Sequence, residues 1–344
     1  MRTLAIDGMG GDHGPEVVVE ACALALRDNP GIRLLIVGRP ENLEGPMQRH
    51  GLKTEPRCSL HPATEVVGMD EEPAKALRQK KDSSMRVALD LVAQGQADAA
   101  VSAGNTGALM ATARFVLKMI PGIDRPAIMS ALPSVRGLTQ VLDLGANTEC
   151  TAEQLLQFAR MGSAASRILS GEARPSVGLL NIGSEAIKGN AVVKQTAELL
   201  RASSLNFHGY VEGNDIYHGT VDVVVCDGFT GNIMLKASEG LARLLMDQLK
   251  GVFAGSLYGR MIAVAGLPIL KKLKKELDPG QYNGASLVGL RGVVVKSHGG
   301  ADAPAFANAI KIAALEAEDE LPRRIAEALA EDGHQPQAGV VHAP

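Results

Sequence analysis

The chain has 344 residues, a formal net charge of −3 at pH 7, 46% hydrophobic residues and 21% charged residues. This length predicts two domains or one large α/β domain with an insertion, and the composition excludes a disordered polyelectrolyte. With six Phe, four Tyr and no Trp, the chain lacks the stacking rings and positive charge that nucleic-acid binding requires, so we expect no nucleic-acid partner.

Membrane spans and metal sites are not indicated either. The longest uncharged stretch, residues 99–113, contains Gly, Asn, Ser and Thr and is shorter than the roughly 20 apolar residues of a spanning helix. Asp7 and Asp12 stand where a signal peptide would be apolar, which predicts a cytoplasmic protein. The four cysteines form no CxxC pair and the histidines show no ligand spacing, so we expect no metal or other cofactor.

Short β-rich runs alternate with longer segments of helical periodicity. Strands are predicted at residues 3–7, 33–37, 99–102, 140–143, 177–181, 222–226 and 292–295. Helices are predicted at residues 15–27, 84–94, 107–119, 152–169, 191–202, 232–249 and 303–328. This alternation predicts a mainly parallel sheet with helices on both faces, in which ligands bind beyond the carboxyl ends of the strands.

The domain organisation follows from the same pattern. We expect one large α/β domain over residues 1–330, with two lobes around a cleft. Residues 251–284 lack strand signals and are predicted to form a helical insertion. Residues 333–344, rich in Gly, Pro, Gln and His, are predicted to be a disordered tail.

The strongest local signal is the run SAGNTG at residues 102–107, a strand end followed by a glycine turn and a helix. Unpaired N–H groups at a helix start bind anions, and glycine lets an anion approach the backbone closely. Ser102, Gly104, Asn105, Thr106 and Gly107 are therefore candidate phosphate ligands. An equally good interpretation is a capped helix start, with Asn105 or Thr106 as the N-cap.

Other predicted strands also end in glycine beside a polar residue, and we expect these turns to converge on one edge of the sheet. Their amides would line a cleft suited to an anion or a developing oxyanion. The candidate cleft residues are Asp7, Gly10, Gly11, Asp12, Asn147, Asn190, Asp227, Asn232, Lys296 and His298.

Positive charge at these strand ends would come from lysine. Lys188, beside Gly189 and Asn190, is the first candidate, and Lys296 is the second. The sequence has no GxGxxG dinucleotide fingerprint, because His13 stands where its last glycine would be, and no P-loop or GxSxG motif. Cys226 or Cys150 could carry an acyl group, although buried cysteine commonly acts as a small hydrophobe.

A basic amphipathic segment spans residues 257–277. Its apolar members include Leu257, Ile262, Ile269, Leu270 and Leu273, and its basic members are Lys271, Lys272, Lys274 and Lys275. Such a helix can lie on an anionic membrane. It could equally pack on its own domain or on a second copy of the chain.

Taken together, the motifs resemble those of one family, the PlsX phosphate acyltransferases of bacterial phospholipid synthesis. The matching phrases occur in family order at residues 6–12 (IDGMGGD), 81–88 (KDSSMRVA), 102–108 (SAGNTGA), 143–147 (DLGAN), 181–190, 226–232 (CDGFTGN) and 296–299 (KSHG). Several ordered motifs are far more specific than any one of them.

The resemblance implies a fold like that of the isocitrate and isopropylmalate dehydrogenases, three layers with a protruding helical tip. It also implies a homodimer without metal or nicotinamide. The implied reaction transfers an acyl group from acyl carrier protein to inorganic phosphate, giving an acyl phosphate that a membrane acyltransferase uses on glycerol 3-phosphate. The protein would then be cytoplasmic and peripherally associated with the membrane.

With this reaction in view, each candidate receives a role. Lys188 would balance the phosphate charge, and Asn105 with the amides of residues 104–107 would bind its oxygens. Asn232 would serve the oxyanion and His298 the leaving thiolate. A metal- and NAD-dependent hydroxyacid dehydrogenase and a non-catalytic carrier-binding membrane module remain as alternatives.

Overall fold

The computed structural model describes residues 1–268, 270 and 279–334, and there it shows one eleven-stranded sheet between two layers of helices. The strands are β1 (Arg2–Asp7), β2 (Ile32–Gly38), β3 (Cys58–Pro62), β4 (Ala99–Ser102), β5 (Ala127–Ser134), β6 (Gly137–Leu142), β7 (Ser176–Leu180), β8 (Asn206–Val211), β9 (Val223–Val225), β10 (Ala285–Val288) and β11 (Val293–Lys296). Their order across the sheet is β3-β2-β1-β4-β11-β10-β5-β6-β9-β7-β8.

The helices connect these strands across both faces. They are α1 (Gly14–Asp28), α2 (Pro40–Arg49), α3 (Pro73–Gln79), α4 (Ser84–Ala93), α5 (Thr106–Leu117), α6 (Ala152–Ser170), α7 (Ala191–Arg201), α8 (Gly213–His218), α9 (Gly228–Ala254), α10 (Leu257–Ala265), α11 (Ala303–Glu318) and α12 (Leu321–His334). A short 3-10 helix at Pro279–Tyr282 precedes β10.

The sheet consists of two parallel halves that run in opposite directions. β3, β2, β1, β4 and β11 are parallel, and so are β6, β9, β7 and β8. Between them, β10 pairs antiparallel with β11 and β5, and β5 forms an antiparallel hairpin with β6. The prediction of a mainly parallel sheet with helices on both faces is confirmed, and the antiparallel strands in its middle are an addition.

Alternation along the strands divides the core between the two faces. On β1, Ala5 packs with α4 and α5, whereas Leu4 and Ile6 pack with α1, α2 and α11. On the first face the buried apolar residues form a single continuous cluster, against which α8 and the start of α9 also pack. The second face carries two clusters, one under α1, α2 and α11 and one under α6, α7 and α12.

Several predicted boundaries change. The predicted helix at residues 303–328 is two helices, because Glu320 has a positive φ of 50° and Pro322 follows it at the start of α12. α9 begins at Gly228 rather than Asn232 and ends at Ala254. α12 continues to His334, so the predicted tail begins too early; its residues 335–344 lie outside the described part of the chain.

Candidate active site

The loops that follow β1, β4 and β11 lie against one another at one edge of the sheet. A Cβ on Gly10 would lie 2.7 Å from the amide nitrogen of Gly104, and Gly11, with φ of +98°, lies against the backbone of Gly299. The Asp12 amide donates to the Gly299 carbonyl at 2.8 Å. Only glycine allows this close approach at Gly10, so the sequence IDGMGGD serves to bring three loops together.

Asp7 and Ser102 form a buried hydrogen bond that holds two of these loops. The Ser102 hydroxyl donates to Asp7 Oδ2 at 2.6 Å and accepts from the Gly104 amide at 3.0 Å. The single hydroxyl hydrogen of Ser102 and the N–H of Gly104 are therefore already used. In this arrangement both groups position the loop, and their predicted role as phosphate ligands stays a prediction.

Asn105 is the N-cap of α5, which decides between the two interpretations of its side chain. Its Oδ1 accepts from the Ala108 amide at 3.0 Å. Its Nδ2 donates to the carbonyls of Met69 and Glu71 at 2.8 and 3.0 Å. The whole side-chain amide is therefore engaged within the chain, and its predicted role as a phosphate ligand stays a prediction. The first two amides of α5, at Thr106 and Gly107, donate to no acceptor among the described residues and are available to an anion.

Lys296 ends β11 beside this helix start and is 8% exposed. Its ammonium donates to the carbonyl oxygens of Ser297 and Ala103, the latter at 3.4 Å. Burial lowers the pKa of Lys296 to about 8, and the positive charge of Lys236 also lowers it, whereas Asp12 and Asp7 raise it. This lysine is thus a buried cation whose charge responds to what binds nearby.

His298 and Lys236 complete this group, and Lys236 is a residue that sequence reasoning missed. Lys236 Nζ lies 3.2 Å from His298 Nε2 and 3.0 Å from Glu239 Oε2. The His298 backbone is held by Asn283 Oδ1 at 2.8 Å, and its Nδ1 accepts from the Gly300 amide at 3.0 Å. Lys236 follows Asn232 by four residues on a predicted helix, so the i,i+4 spacing was a usable signal.

A second set of turns follows β6, β7 and β9, and several of its polar residues are structural. Asp143 is fully buried and accepts five hydrogen bonds, two of them from Asn147. Burial raises the pKa of Asp143, and those hydrogen bonds oppose the increase. The Asn147 side chain also donates to the Pro126 carbonyl at 2.8 Å, so it holds the loop, and its predicted place in the cleft stays a prediction.

Two further predicted cleft residues cap helices. Asp227 accepts from the Thr230 amide at 2.8 Å and from its hydroxyl at 2.9 Å at the start of α9. Asn190 accepts from the Val193 amide at 2.9 Å at the start of α7. Both are therefore explained by helix capping, and the predicted cleft role of their side chains is not needed.

Lys188 and Asn232 remain exposed beside these turns. The Lys188 ammonium makes no ion pair with any residue in the described ranges. Asn232 lies against Gly145, where a Cβ would be 3.4 Å from the Asn232 Cβ. Their proposed catalytic roles stay predictions.

We expected the turns that follow the strands to lie at one edge of the sheet, and the strand directions contradict this. The carboxyl end of β4 and that of β7 lie at opposite edges, because the two halves of the sheet run in opposite directions. α9 joins the two sets, with Asn232 beside Gly145 and Lys236 beside His298.

The cysteines near the second set are poor nucleophiles. Burial raises the pKa of the Cys150 thiol to about 12 and that of the Cys226 thiol well above its usual range, and nearby Asp143 raises both. Because the thiolate is the reacting form, this environment disfavours a cysteine acyl-enzyme. No group of three or more His, Cys, Asp or Glu side chains is arranged to hold a metal ion in residues 1–268, 270 and 279–334.

The predicted tip is partly described. Ile262 lies on α10 with 43% of its surface exposed, and its neighbours Met261 and Val264 are more exposed. Leu257 begins α10 and Leu270 is half-buried, whereas Ile269, Lys271, Lys272, Leu273, Lys274 and Lys275 lie outside the described residues. Among the helices that are described, none is both long enough and apolar enough to cross a bilayer.

Comparison with solved structures identifies proteins of similar fold. EutD phosphotransacetylase from Staphylococcus aureus matches with a TM-score of 0.58 and 17% identity, over 92% of this chain and 94% of that one. A 4-hydroxythreonine-4-phosphate dehydrogenase from Klebsiella pneumoniae matches with a TM-score of 0.50 and 15% identity, over 95% and 100% of the two chains. These likenesses confirm the α/β fold and, at such low identity, show the fold alone.

Comparison of sequences is more specific. A family model described as "Fatty acid synthesis protein" matches residues 2–324. The protein named phosphate acyltransferase in Alkalilimnicola ehrlichii is 57% identical over 323 residues, 94% of each chain. Its namesake in Methylococcus capsulatus is 56% identical over 327 residues, 95% of this chain and 96% of that one. The chain therefore belongs to the PlsX family of phosphate acyltransferases, the family that its ordered motifs resemble.

Proposed function

We propose that this enzyme transfers an acyl group from a thioester on acyl carrier protein to inorganic phosphate, for phospholipid synthesis. The observation that carries the proposal is the 57% identity to a phosphate acyltransferase over 94% of both chains. The loops after β1, β4 and β11 support it, because they place a buried lysine beside two unpartnered helix-start amides.

The chemistry requires positioning more than proton abstraction. Hydrogen phosphate is already an anionic nucleophile near neutral pH. One of its oxygens attacks the thioester carbon, the C–O bond forms, and the C–S bond then breaks. The proton of hydrogen phosphate ends on the departing thiol, so the products are an acyl phosphate and the free carrier thiol. The protein must hold phosphate against the carbonyl and stabilise the tetrahedral oxyanion.

The geometry supports assigning phosphate binding and oxyanion stabilisation to different residues. Lys296 with the amides of Thr106 and Gly107 would hold the phosphate, and Asn232 at the start of α9 would donate to the oxyanion. Lys188, exposed near the second set of turns, would add positive charge on that side. The raised thiol pKa values of Cys150 and Cys226 favour direct attack by phosphate over an acyl-enzyme.

The test is a single incubation of the protein with palmitoylated acyl carrier protein and labelled inorganic phosphate, followed by hydroxylamine. We expect a labelled acyl phosphate that forms only when both substrates are present and that hydroxylamine cleaves with release of labelled phosphate. Binding of the carrier without loss of thioester would instead indicate a non-catalytic module, and an absorbance change that needs a divalent ion and NAD would indicate a dehydrogenase. Intact-mass analysis before phosphate addition detects any acyl-enzyme.

We also propose that the chain acts as a cytoplasmic homodimer whose tip touches the membrane, where a glycerol-3-phosphate acyltransferase consumes the acyl phosphate. Support comes from the exposed apolar residues Met261, Ile262 and Val264 on α10, followed in the sequence by the lysine cluster. Co-sedimentation with vesicles containing phosphatidylglycerol compares wild type with Ile262→Glu/Val264→Glu. Equal binding of the two proteins would reject the membrane contact at α10.

A further inference from the structure

We propose that Lys236 binds the inorganic phosphate that accepts the acyl group, together with Lys296 and His298. The proposal rests on the proposed function for the identity of the anion, and it names a binding residue on α9 that belongs to none of the matched motifs. Its basis is the contact between α9 and the loop after β11, where Lys236 Nζ lies 3.2 Å from His298 Nε2.

The hydrogen-bond chemistry of this contact calls for an anion. Nδ1 of His298 faces the N–H of Gly300 at 3.0 Å, and Nε2 faces the ammonium of Lys236. A neutral imidazole has one N–H and one acceptor nitrogen, so in either tautomer one of its sides presents a donor to another donor. A phosphate oxygen to one side of this pair can accept from both Nε2–H and the ammonium, which removes the conflict and leaves Nδ1 free to accept from Gly300.

The hydrogen bonds of the loop also favour the tautomer of His298 that carries its proton on Nε2. The His298 amide is fixed by Asn283 Oδ1, and Asn283 in turn donates to the Ser297 hydroxyl and to the Ala305 carbonyl, both at 2.8 Å. The ring therefore stands on a hydrogen-bonded loop in which the Gly300 amide, two residues on, donates to Nδ1. This leaves Nε2–H directed toward Lys236.

Charge at the same place supports phosphate as the ligand. Lys236 is close enough to Lys296 to lower its pKa, so two ammonium groups lie within electrostatic range of each other. Lys236 has Glu239 as its carboxylate partner and remains about half exposed, at 49% of its side chain, so a phosphate can reach it. Lys296 contacts the carbonyl of Ala103, which precedes Thr106 by three residues and Gly107 by four in the loop that leads into α5.

The proposed site thus spans two elements. Lys296 and the α5 amides would hold one side of the phosphate, and Lys236 with His298 the other. Because Asn232 lies one helical turn before Lys236 on α9, the same helix would carry an oxyanion donor and a phosphate ligand about 6 Å apart along its axis. This spacing matches a nucleophile and an electrophile held side by side.

The test compares Lys236→Ala and Lys236→Gln with Lys250→Ala, a control on the same helix whose lysine pairs with Asp247. We expect the KM for phosphate to rise about 10- to 100-fold in both Lys236 variants, the effect of losing a charge-assisted hydrogen bond. The KM for the acyl donor should stay within twofold, and Lys250→Ala should match wild type.

A second measurement does not depend on turnover. Inorganic phosphate should raise the Tm of wild type and of Lys250→Ala, and this shift should be lost in the Lys236 variants. Unchanged phosphate KM and an unchanged phosphate-induced Tm shift in Lys236→Gln would overturn the proposal. If wild type forms no acyl phosphate, the proposed function fails, while the Tm measurement still decides whether Lys236 binds phosphate.

Discussion

The Ser102 hydroxyl donates a 2.6 Å hydrogen bond to Asp7 Oδ2 and so links the ends of β4 and β1 in the core of the site. Both residues are almost fully buried, at 2% and 1% exposure. The hydroxyl also accepts from the Gly104 amide, so one atom orders the turn that leads into α5. The first prediction follows from this double role.

We expect Ser102→Ala to lower the free energy of unfolding by about 1–3 kcal/mol, because it leaves the Gly104 N–H without its acceptor and Asp7 Oδ2 without the hydroxyl donor. Since Ser102 is assigned a positioning role, the KM for phosphate should rise while its pH dependence stays unchanged. Urea unfolding and initial rates measure the two effects. A stable variant with an unchanged KM would show that this bond does not order the α5 turn.

The lowered pKa of Lys296 predicts how the KM for phosphate depends on pH. Its pKa of about 8 means that the ammonium is lost as the pH rises through that value. If the protonated form binds phosphate, the KM for phosphate should be constant below about pH 7.5 and about tenfold higher at pH 9. Initial rates at varied phosphate concentration measure this profile.

A Lys296 variant tests whether Lys296 causes the pH dependence of the KM for phosphate. Lys296→Arg keeps its charge over this range and should flatten the rise, whatever its absolute KM. Lys250→Arg, on the exposed end of α9, serves as the control and should retain the wild-type profile. A rise in KM that persists in Lys296→Arg would assign the titration to another group.

The sequence predicted the arrangement of strands better than the chemistry of individual side chains. Apolar runs such as β9 and glycine turns such as residues 102–107 depend on local pattern, so the sheet and the α5 start were predictable. β5 and β10, with Ser and Pro in or beside short runs, were missed because their strand state is fixed by long-range pairing in the sheet centre.

Asn105, Asn147 and Lys236 show the same limit at the site. An asparagine in a turn can cap a helix, bridge loops or bind a ligand. Only the positions of its neighbours in the fold determine which of these roles its side chain takes. Asn105 finds its partners in residues 69 and 71, more than thirty positions away, and Asn147 finds one in Pro126. The i,i+4 spacing places Lys236 on the same helix face as Asn232, but its contact with His298, 62 residues later, depends on the fold.

Gly231 and Gly240, both on α9, provide a matched pair of substitutions. A Cβ on Gly231 would lie 1.9 Å from the Asp143 carbonyl oxygen, whereas Gly240 has no atom within 4 Å of that position. Gly231→Ala must therefore push α9 away from the end of β6. We expect a loss of several kcal/mol in stability and a large loss of turnover, since Asn232 moves with the helix.

Gly240→Ala should behave in the opposite way and stabilise the protein by about 0.5–1 kcal/mol through helix propensity. Thermal and urea unfolding of both variants, with acyl phosphate formation, provide the comparison. Equal stability of the two variants would contradict the close contact between α9 and the Asp143 backbone.

Glu316 predicts a pH effect on stability that is independent of catalysis. It lies on α11 with 3% exposure, and the Ser286 hydroxyl on β10 donates to its carboxylate. Burial raises its pKa from 4.5 to about 7, and the Ser286 hydrogen bond opposes this increase. The folded protein therefore holds a proton at Glu316 that the unfolded chain releases between about pH 4.5 and pH 7.

Because the native state binds more protons in that range, the contribution of Glu316 to stability is fully present below pH 4.5 and is lost as the pH rises to 7. Glu316→Gln does not titrate, so its free energy of unfolding relative to wild type should increase by about 3 kcal/mol between pH 4 and pH 8. Urea unfolding at both pH values measures this difference. Glu318→Gln, exposed on the same helix, should show no such change. A pH-independent difference for Glu316→Gln would mean that folding does not raise the pKa of Glu316.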